Sequence, residues 1–152
     1  TVRPPHNILS THYNTLSKLN CILASIEANE LNFDEGIMND PYGNISTCNS
    51  TNLFFIKNNS VWTSKGEYCL NGITRSKAIY LCEKNDINCH QKDFTFDEIK
   101  DCDEAFVTGT FAGIIPVSTL ENRKLSSVNS KSLTNYIRAL YNHHIHKNIN
   151  KS

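Results

Sequence analysis

The sequence predicts a mixed α+β fold, and two features of its apolar pattern carry that prediction. Leu19, Ile22, Leu23 and Ile26 follow the spacing of one helix face. Two β-rich runs, 53–56 and 61–63, flank a polar turn in the manner of a hairpin. Helices and strands do not alternate regularly along the chain, which favours α+β over a parallel βαβ series.

The first half of the sequence predicts an extended entry over residues 1–13, a helix over 16–31 and a short strand over 34–39. A turn over 41–44 and two hairpin strands over 53–56 and 61–63 follow. Asn32 lies just beyond the helix as its stop.

The second half of the sequence predicts a helix over 76–83, a short helix over 94–102 and a strand over 105–107, which the tight segment 108–110 follows. A strand over 114–117, a polar loop over 121–132 and a last helix from 133 to about 141 come next. His143, His144 and His146 follow in a polar tail that we expect to fray. No carboxylate or cysteine is spaced with these histidines, so no metal site is predicted.

The composition sets limits on size and partners. A chain of 152 residues with 39% hydrophobic residues suits one domain. Lys plus Arg and Asp plus Glu number 15 each, so the charge favours neither nucleic acid nor an anionic membrane. No apolar run approaches the roughly 20 residues of a membrane span.

The chain begins at Thr1 and lacks the pattern of a signal peptide, so we expect a fragment or a processed chain. Six cysteines are spread singly, which favours reduced thiols in the cytoplasm or an organelle matrix over secretion. They are Cys21, Cys48, Cys69, Cys82, Cys89 and Cys102.

Three segments, in order along the chain, carry a resemblance to a known family. They are residues 22–54, which end in Asn52-Leu53-Phe54, residues 68–75 with Gly72-Ile73-Thr74-Arg75, and residues 103–117 with Thr108-Gly109-Thr110. Together they resemble the class IV (fold-type IV) aminotransferases that depend on pyridoxal 5′-phosphate (PLP). The branched-chain-aminotransferase-like members are the nearest group, with D-amino-acid aminotransferases and aminodeoxychorismate lyases more distant.

The resemblance implies a fold and an assembly. Members of the family bind PLP between a small N-terminal domain and a larger C-terminal domain, and they work as homodimers. Residues 1–152 resemble the large domain alone, so the small domain is expected to be absent. A homodimer, or a partner chain that supplies the small domain, is the expected assembly.

The resemblance also implies a phosphate site. Gly72, Ile73 and Thr74 open a helix whose backbone N–H groups can hold a phosphate dianion, together with the Thr74 hydroxyl. Thr108, Gly109 and Thr110 match the second phosphate-contacting turn of the family, with the Thr110 hydroxyl as a donor. By local sequence alone, both segments are also typical of ordinary glycine turns.

Two catalytic positions of the family are substituted. The lysine that forms a Schiff base with PLP falls on Asn14, whose amide is not a usable nucleophile. The glutamate that keeps the pyridine nitrogen protonated falls on Thr47, which carries no charge. A degenerate aminotransferase without transaminase activity is therefore the first hypothesis.

Lys18 supports a different hypothesis. It falls where branched-chain members carry a tyrosine that approaches the cofactor, so it is a candidate for a relocated imine-forming lysine. A solvated lysine beside a helix start is the plainer interpretation. An active transaminase or lyase that uses Lys18 with a partner chain, and a PLP-binding module without turnover, both remain open.

Overall fold

The computed structural model describes residues 13–149, and most of the extended entry predicted for residues 1–13 lies outside them. The helices are α1 (Leu19–Glu30), α2 (Ile73–Lys84), α3 (Phe96–Ile99) and α4 (Leu133–Ile149), with a 3-10 turn at Ser126–Val128. The strands are β1 (Ile37–Asn39), β2 (Ile45–Cys48), β3 (Asn52–Lys57), β4 (Ser60–Thr63), β5 (Cys89–Gln91), β6 (Glu104–Gly109), β7 (Gly113–Pro116), β8 (Thr119–Leu120) and β9 (Arg123–Lys124). The predicted α+β class is confirmed.

The centre of the fold is a sheet of five strands in the order β5-β4-β3-β6-β7. Neighbouring strands are antiparallel except β4 and β5, which are parallel because α2 connects them. Two short ribbons, β1-β2 and β8-β9, lie outside this sheet. The central pair β3-β6 places Asn52 opposite Thr108 at one end of the sheet.

Strand β3 is buried on both faces, which explains its continuous apolar run. Phe54 and Ile56 pack in one core cluster with residues of α2 and α4, while Leu53 and Phe55 pack in a second cluster on the opposite face. Phe54 also stacks on Phe106 of β6 with ring centroids 4.6 Å apart. A strand covered on both sides does not show simple alternation.

Asparagine supplies most of the left-handed backbone positions outside glycine. Asn58 and Asn59 have φ of 51° and 56° in the β3-β4 turn, as a type I′ hairpin requires. Asn32 has φ of 60° just after α1, where the sequence predicts the helix stop. Some of the frequent asparagines therefore have a backbone role.

Several predicted boundaries are wrong. Helix α4 continues to Ile149, so the histidine-rich segment predicted to fray is helical, and His144 lies 6.2 Å from the Tyr80 ring of α2. Helix α3 has only four residues, since its capping box of Thr95 and Glu98 places the start at Phe96 and the helix already ends at Ile99. Strands β2, β5, β8 and β9 were not predicted, and β9 and the 3-10 turn lie within the predicted polar loop 121–132. Helix α2 begins at Ile73, as the glycine turn before it indicates.

Helix α1 buries its small residues and exposes its large ones. Ala24 and Ala28 are buried against the rest of the protein. Leu19, Ile22 and Leu23 keep 65%, 54% and 50% of their surface exposed. The apolar stripe of this helix is therefore an uncovered surface, which is unusual for a chain without a partner.

None of the helices within residues 13–149 combines the length and the apolar character that a bilayer span requires.

Replacing Glu104 with Ala tests how α4 is attached to the sheet. The buried Glu104 carboxylate accepts hydrogen bonds from the backbone N–H groups of Leu133 (3.0 Å) and Thr134 (2.7 Å) at the start of α4. We expect Glu104→Ala to lower the free energy of unfolding by about 1–3 kcal/mol, because two buried N–H groups lose a charged acceptor. Urea denaturation measures the change. The exposed Glu30→Ala on α1 is the control, and equal effects of the two substitutions would contradict this role.

Candidate functional site

Asn52 brings two turns of the protein together. It is the first residue of β3 and pairs with Thr108, so the segment that leaves β6 after Thr108 lies beside it. The Asn52 side-chain amide donates to the carbonyl of Leu70 at 2.8 Å and so holds the segment that leads into α2. The end of β6 and the start of α2 therefore meet at this asparagine.

Gly72 permits a close approach at the start of α2. A Cβ at this position would lie 2.6 Å from Asn52 Oδ1, which is closer than real contacts allow. Gly72 is the N-terminal cap of α2; no side chain caps this helix, and its first turn holds no acidic residue. The exposed N–H groups and the helix dipole make this end favourable for an anion.

All eight residues that the sequence singled out line one cavity of about 300 Å³. They are Asn14, Lys18, Thr47, Gly72, Ile73, Thr74, Gly109 and Thr110. Among the described lining residues, Lys18 is the only charged one. The wall thus offers hydroxyl, amide and backbone groups with one cation and no carboxylate, which suits an anionic ligand.

Thr108 also lines the cavity, as the first residue of the turn that the resemblance marks as phosphate-contacting. Its side chain is 2% exposed, and its Oγ1 has no hydrogen-bond partner in the protein. Buried hydroxyls are normally satisfied, so a ligand with acceptor oxygens would supply what the protein does not. Gly109 is less constrained, because a Cβ there would meet Thr51 Cγ2 at an ordinary 3.6 Å.

Thr47 and Asn14 line the cavity without the charge or the amine expected of the family. Thr47 is buried in β2, and its hydroxyl donates to the carbonyl of Thr51 at 2.8 Å. The single Thr47 proton is therefore already used, and its oxygen can only accept. Asn14 is exposed in the segment before α1 and presents an amide.

The described part of the cavity wall carries one amine, on Lys18, and two thiols, on the partly exposed Cys21 and on the buried Cys48. Lys18 is exposed and stands at the N-terminal cap position of α1. Cys48 is buried, and burial together with the Glu35 carboxylate raises the pKa of its thiol well above the usual range. Cys48 therefore stays protonated and is a poor nucleophile. Within residues 13–149, no group of three or more His, Cys, Asp or Glu side chains is arranged to hold a metal ion.

Comparison with known proteins decides the family. A model of the amino-transferase class IV family matches residues 1–120. The chain belongs to the class IV aminotransferases. It is 35% identical over 138 residues to the branched-chain-amino-acid aminotransferase-like protein 2 of Arabidopsis thaliana, a match that covers 90% of this chain and 24% of the relative. It is 33% identical over 123 residues to the branched-chain-amino-acid aminotransferase of Pseudomonas aeruginosa, covering 81% and 40% of the two chains.

Solved structures agree with this assignment. An aminotransferase from Brucella abortus bound to PLP superposes with a TM-score of 0.88 at 25% identity, over 96% of this chain and 54% of that protein. The fold-type IV architecture expected from the resemblance is thereby confirmed. This class IV aminotransferase chain spans between about a quarter and about half of the length of these relatives.

Replacing Thr108 with Val tests whether its hydroxyl lacks an internal partner. Without a hydrogen bond to lose, we expect Thr108→Val to leave the free energy of unfolding unchanged or to raise it by up to about 1 kcal/mol. The matched control is Thr63→Val, because the equally buried Thr63 hydroxyl donates to the Leu53 carbonyl at 2.9 Å. We expect that control to be destabilised by about 1–2 kcal/mol in urea denaturation. Equal losses for both variants would show that Thr108 has a partner within the protein.

Proposed function

We propose that this chain is a branched-chain-aminotransferase-like domain that binds PLP reversibly through the phosphate and does not catalyse transamination. One observation carries the proposal. A single cavity is lined by both turns, 72–74 and 108–110, that resemble the phosphate-binding turns of the family. Asn14 and Thr47 line the same cavity at the positions where the family resemblance places a lysine and a glutamate.

The phosphate end of the cavity fits the cofactor. The first N–H groups of α2, at Ile73 and Thr74, and the hydroxyls of Thr108 and Thr110 would hold the phosphate oxygens. The orphaned Thr108 hydroxyl supports this, since an anion in the cavity would supply the acceptor that the protein does not. A cavity of about 300 Å³ is at the lower end of ordinary small-molecule sites, which span roughly 300–1,000 Å³.

The side of the cavity lined by Asn14 and Thr47, here called the ring end, does not fit the chemistry of a transaminase. PLP, when bound, supplies an aldehyde and an electron-withdrawing pyridine ring to amino substrates. Asn14 has no amine to attack that aldehyde, and Thr47 has no charge to keep the ring nitrogen protonated. Each loss removes an interaction of roughly 3 kcal/mol or more, so either one alone would be severe.

Lys18 is assigned an electrostatic role in this proposal. As the only charged residue among the described lining side chains, it attracts the dianionic phosphate into the cavity. The alternative is an active PLP-dependent transaminase or lyase in which Lys18 forms the covalent bond with the aid of a partner chain. The fact that Lys18 and the two phosphate turns line the same cavity keeps this alternative testable.

The covalent test separates the two functions. We expect PLP to bind saturably and to be removed by dialysis, and borohydride reduction followed by peptide mapping to find no selective pyridoxyl group on Lys18. Lys18→Ala is expected to weaken binding about fivefold, since one partly solvated cation near a phosphate contributes about 1 kcal/mol. Lys131→Ala, outside the cavity, is the control.

A pyridoxyl group fixed selectively on Lys18 would overturn the proposal in favour of the relocated-lysine enzyme. Failure of PLP to bind at all would leave a structural remnant of the family. Restoring both positions in Asn14→Lys with Thr47→Glu is the positive control, and we expect reduction to fix PLP covalently at position 14 of that variant.

We further propose that a second copy of this chain covers the exposed face of α1, formed by Leu19, Ile22, Leu23 and Ile26. The four side chains are 49–65% exposed. An apolar face without charge is self-complementary, which favours a twofold dimer. The same helix carries Lys18 and Cys21 of the cavity wall at its start, so the partner would lie next to the site.

The oligomeric state tests this assembly. We expect the wild-type chain to sediment as a dimer and Leu23→Glu with Ile26→Glu to sediment as a folded monomer, because two charges cannot be buried in the apolar interface. Val128→Glu places a charge at a residue that is 55% exposed outside α1, and it should stay dimeric. A monomeric wild-type chain would rule out the dimer.

A further inference from the structure

Two cysteines outside the cavity pack in the same core cluster. Cys82 is near the end of α2 and is fully buried, while Cys89 begins β5 and is partly exposed. Cys89 packs on the cluster between the sheet and α2 that contains Cys82, and it pairs with Val61 of the same cluster in the β4-β5 ladder.

The connection between α2 and β5 enforces this proximity. The backbone N–H groups of Asn85 and Ile87 both donate to the Cys82 carbonyl, at 3.1 and 2.9 Å, so the chain folds back directly over the end of the helix. Asp86, with φ of 56°, makes the reversal possible. Cys89 follows Ile87 by two residues, and both side chains pack on the cluster that contains Cys82.

Exposure divides the two thiols into an attacking and a resolving group. Cys89 is partly exposed while Cys82 is fully buried, so an external disulfide reaches Cys89 first. The neighbouring Cys82 thiol and the Arg75 guanidinium also lower the pKa of Cys89, which favours its thiolate.

We propose that Cys82 and Cys89 form a reversible disulfide by exchange with a low-molecular-weight disulfide such as oxidised glutathione. The Cys89 thiolate attacks one glutathione sulfur, which breaks its S–S bond and releases one glutathione thiolate. Cys82 then loses its proton to solvent and attacks the Cys89 sulfur, forming the internal S–S bond and releasing the second glutathione. The protein is oxidised by two electrons, and one oxidised glutathione is reduced to two thiols.

The other cysteines lack this combination of contact and access. Cys48, Cys69 and Cys102 are buried, and Cys69 lies 3.6 Å from the Ser64 hydroxyl while Cys102 lies 3.5 Å from the Arg123 guanidinium. Cys21 is partly exposed in the cavity wall and serves as a comparison thiol of similar access.

Peptide mapping provides the test, because trypsin can cleave after Lys84 between the two cysteines. The native chain is incubated with oxidised glutathione, blocked with iodoacetamide and digested without reduction. We expect residues 78–84 and 85–92 to be recovered as one disulfide-linked species that separates on reduction, and the intact mass to fall by two hydrogens.

Single substitutions assign the roles. Cys82→Ala should trap glutathione on Cys89, Cys89→Ala should leave Cys82 unmodified, and Cys21→Ser should leave the cross-link unchanged. A stable glutathione adduct on Cys89 of the wild-type chain, with Cys82 still reduced, would overturn the proposal. A cross-link from either residue to a different cysteine, or modification of Cys21 while Cys89 stays reduced, would overturn it as well.

Discussion

The side chain of Asn52 is the contact on which the cavity depends. Its backbone is fixed by pairing with Thr108 in the central strands, and its amide holds the Leu70 carbonyl at 2.8 Å. Its oxygen also occupies the space that any side chain at position 72 would need. One residue thereby positions the end of β6 and the start of α2 on the same side of the sheet. The hydroxyls and N–H groups of the cavity are held in place because the most buried strand pair supports them.

The cavity is lined by backbone groups at the start of α2 and by single side chains at positions 14 and 47. These two kinds of groups differ in how strongly they depend on the sequence. The start of α2 offers backbone N–H groups, which no substitution other than proline removes as long as the helix forms. The ring end depends on an amine and a carboxylate, each carried by a single side chain. Asn14 is exposed, and Thr47 satisfies its hydroxyl on Thr51. Under the proposed function, the loss of a lysine and a glutamate at these two positions leaves the fold intact.

Local patterns predicted the parts of the fold that depend on local interactions. The helical spacing of α1, the β3-β4 hairpin and the asparagine stop at Asn32 were all legible in the sequence, because each is set by neighbouring residues. Strands β2 and β5 have four and three residues, and β5 acquires its strand conformation only by pairing with β4 across α2. The family motifs placed eight residues on one cavity wall. The role of Asn52 in the site was missed because it depends on pairing with a partner strand and on burial.

Helix α1 connects the assembly of the protein to its site. Its inner face approaches the protein through small groups, since a Cβ at Gly36 would lie 2.8 Å from the Ala24 carbonyl oxygen. Its outer face is apolar and exposed, and the residues at its start form a wall of the cavity. A partner on the outer face and an anion in the cavity would therefore both restrain the same helix. Two ligands that favour one position of a shared element strengthen each other's binding by equal amounts. We therefore expect cofactor affinity and self-association of this chain to rise together. Both act through α1, whose inner residues are small, so that contacts on its outer face and in the cavity fix its position.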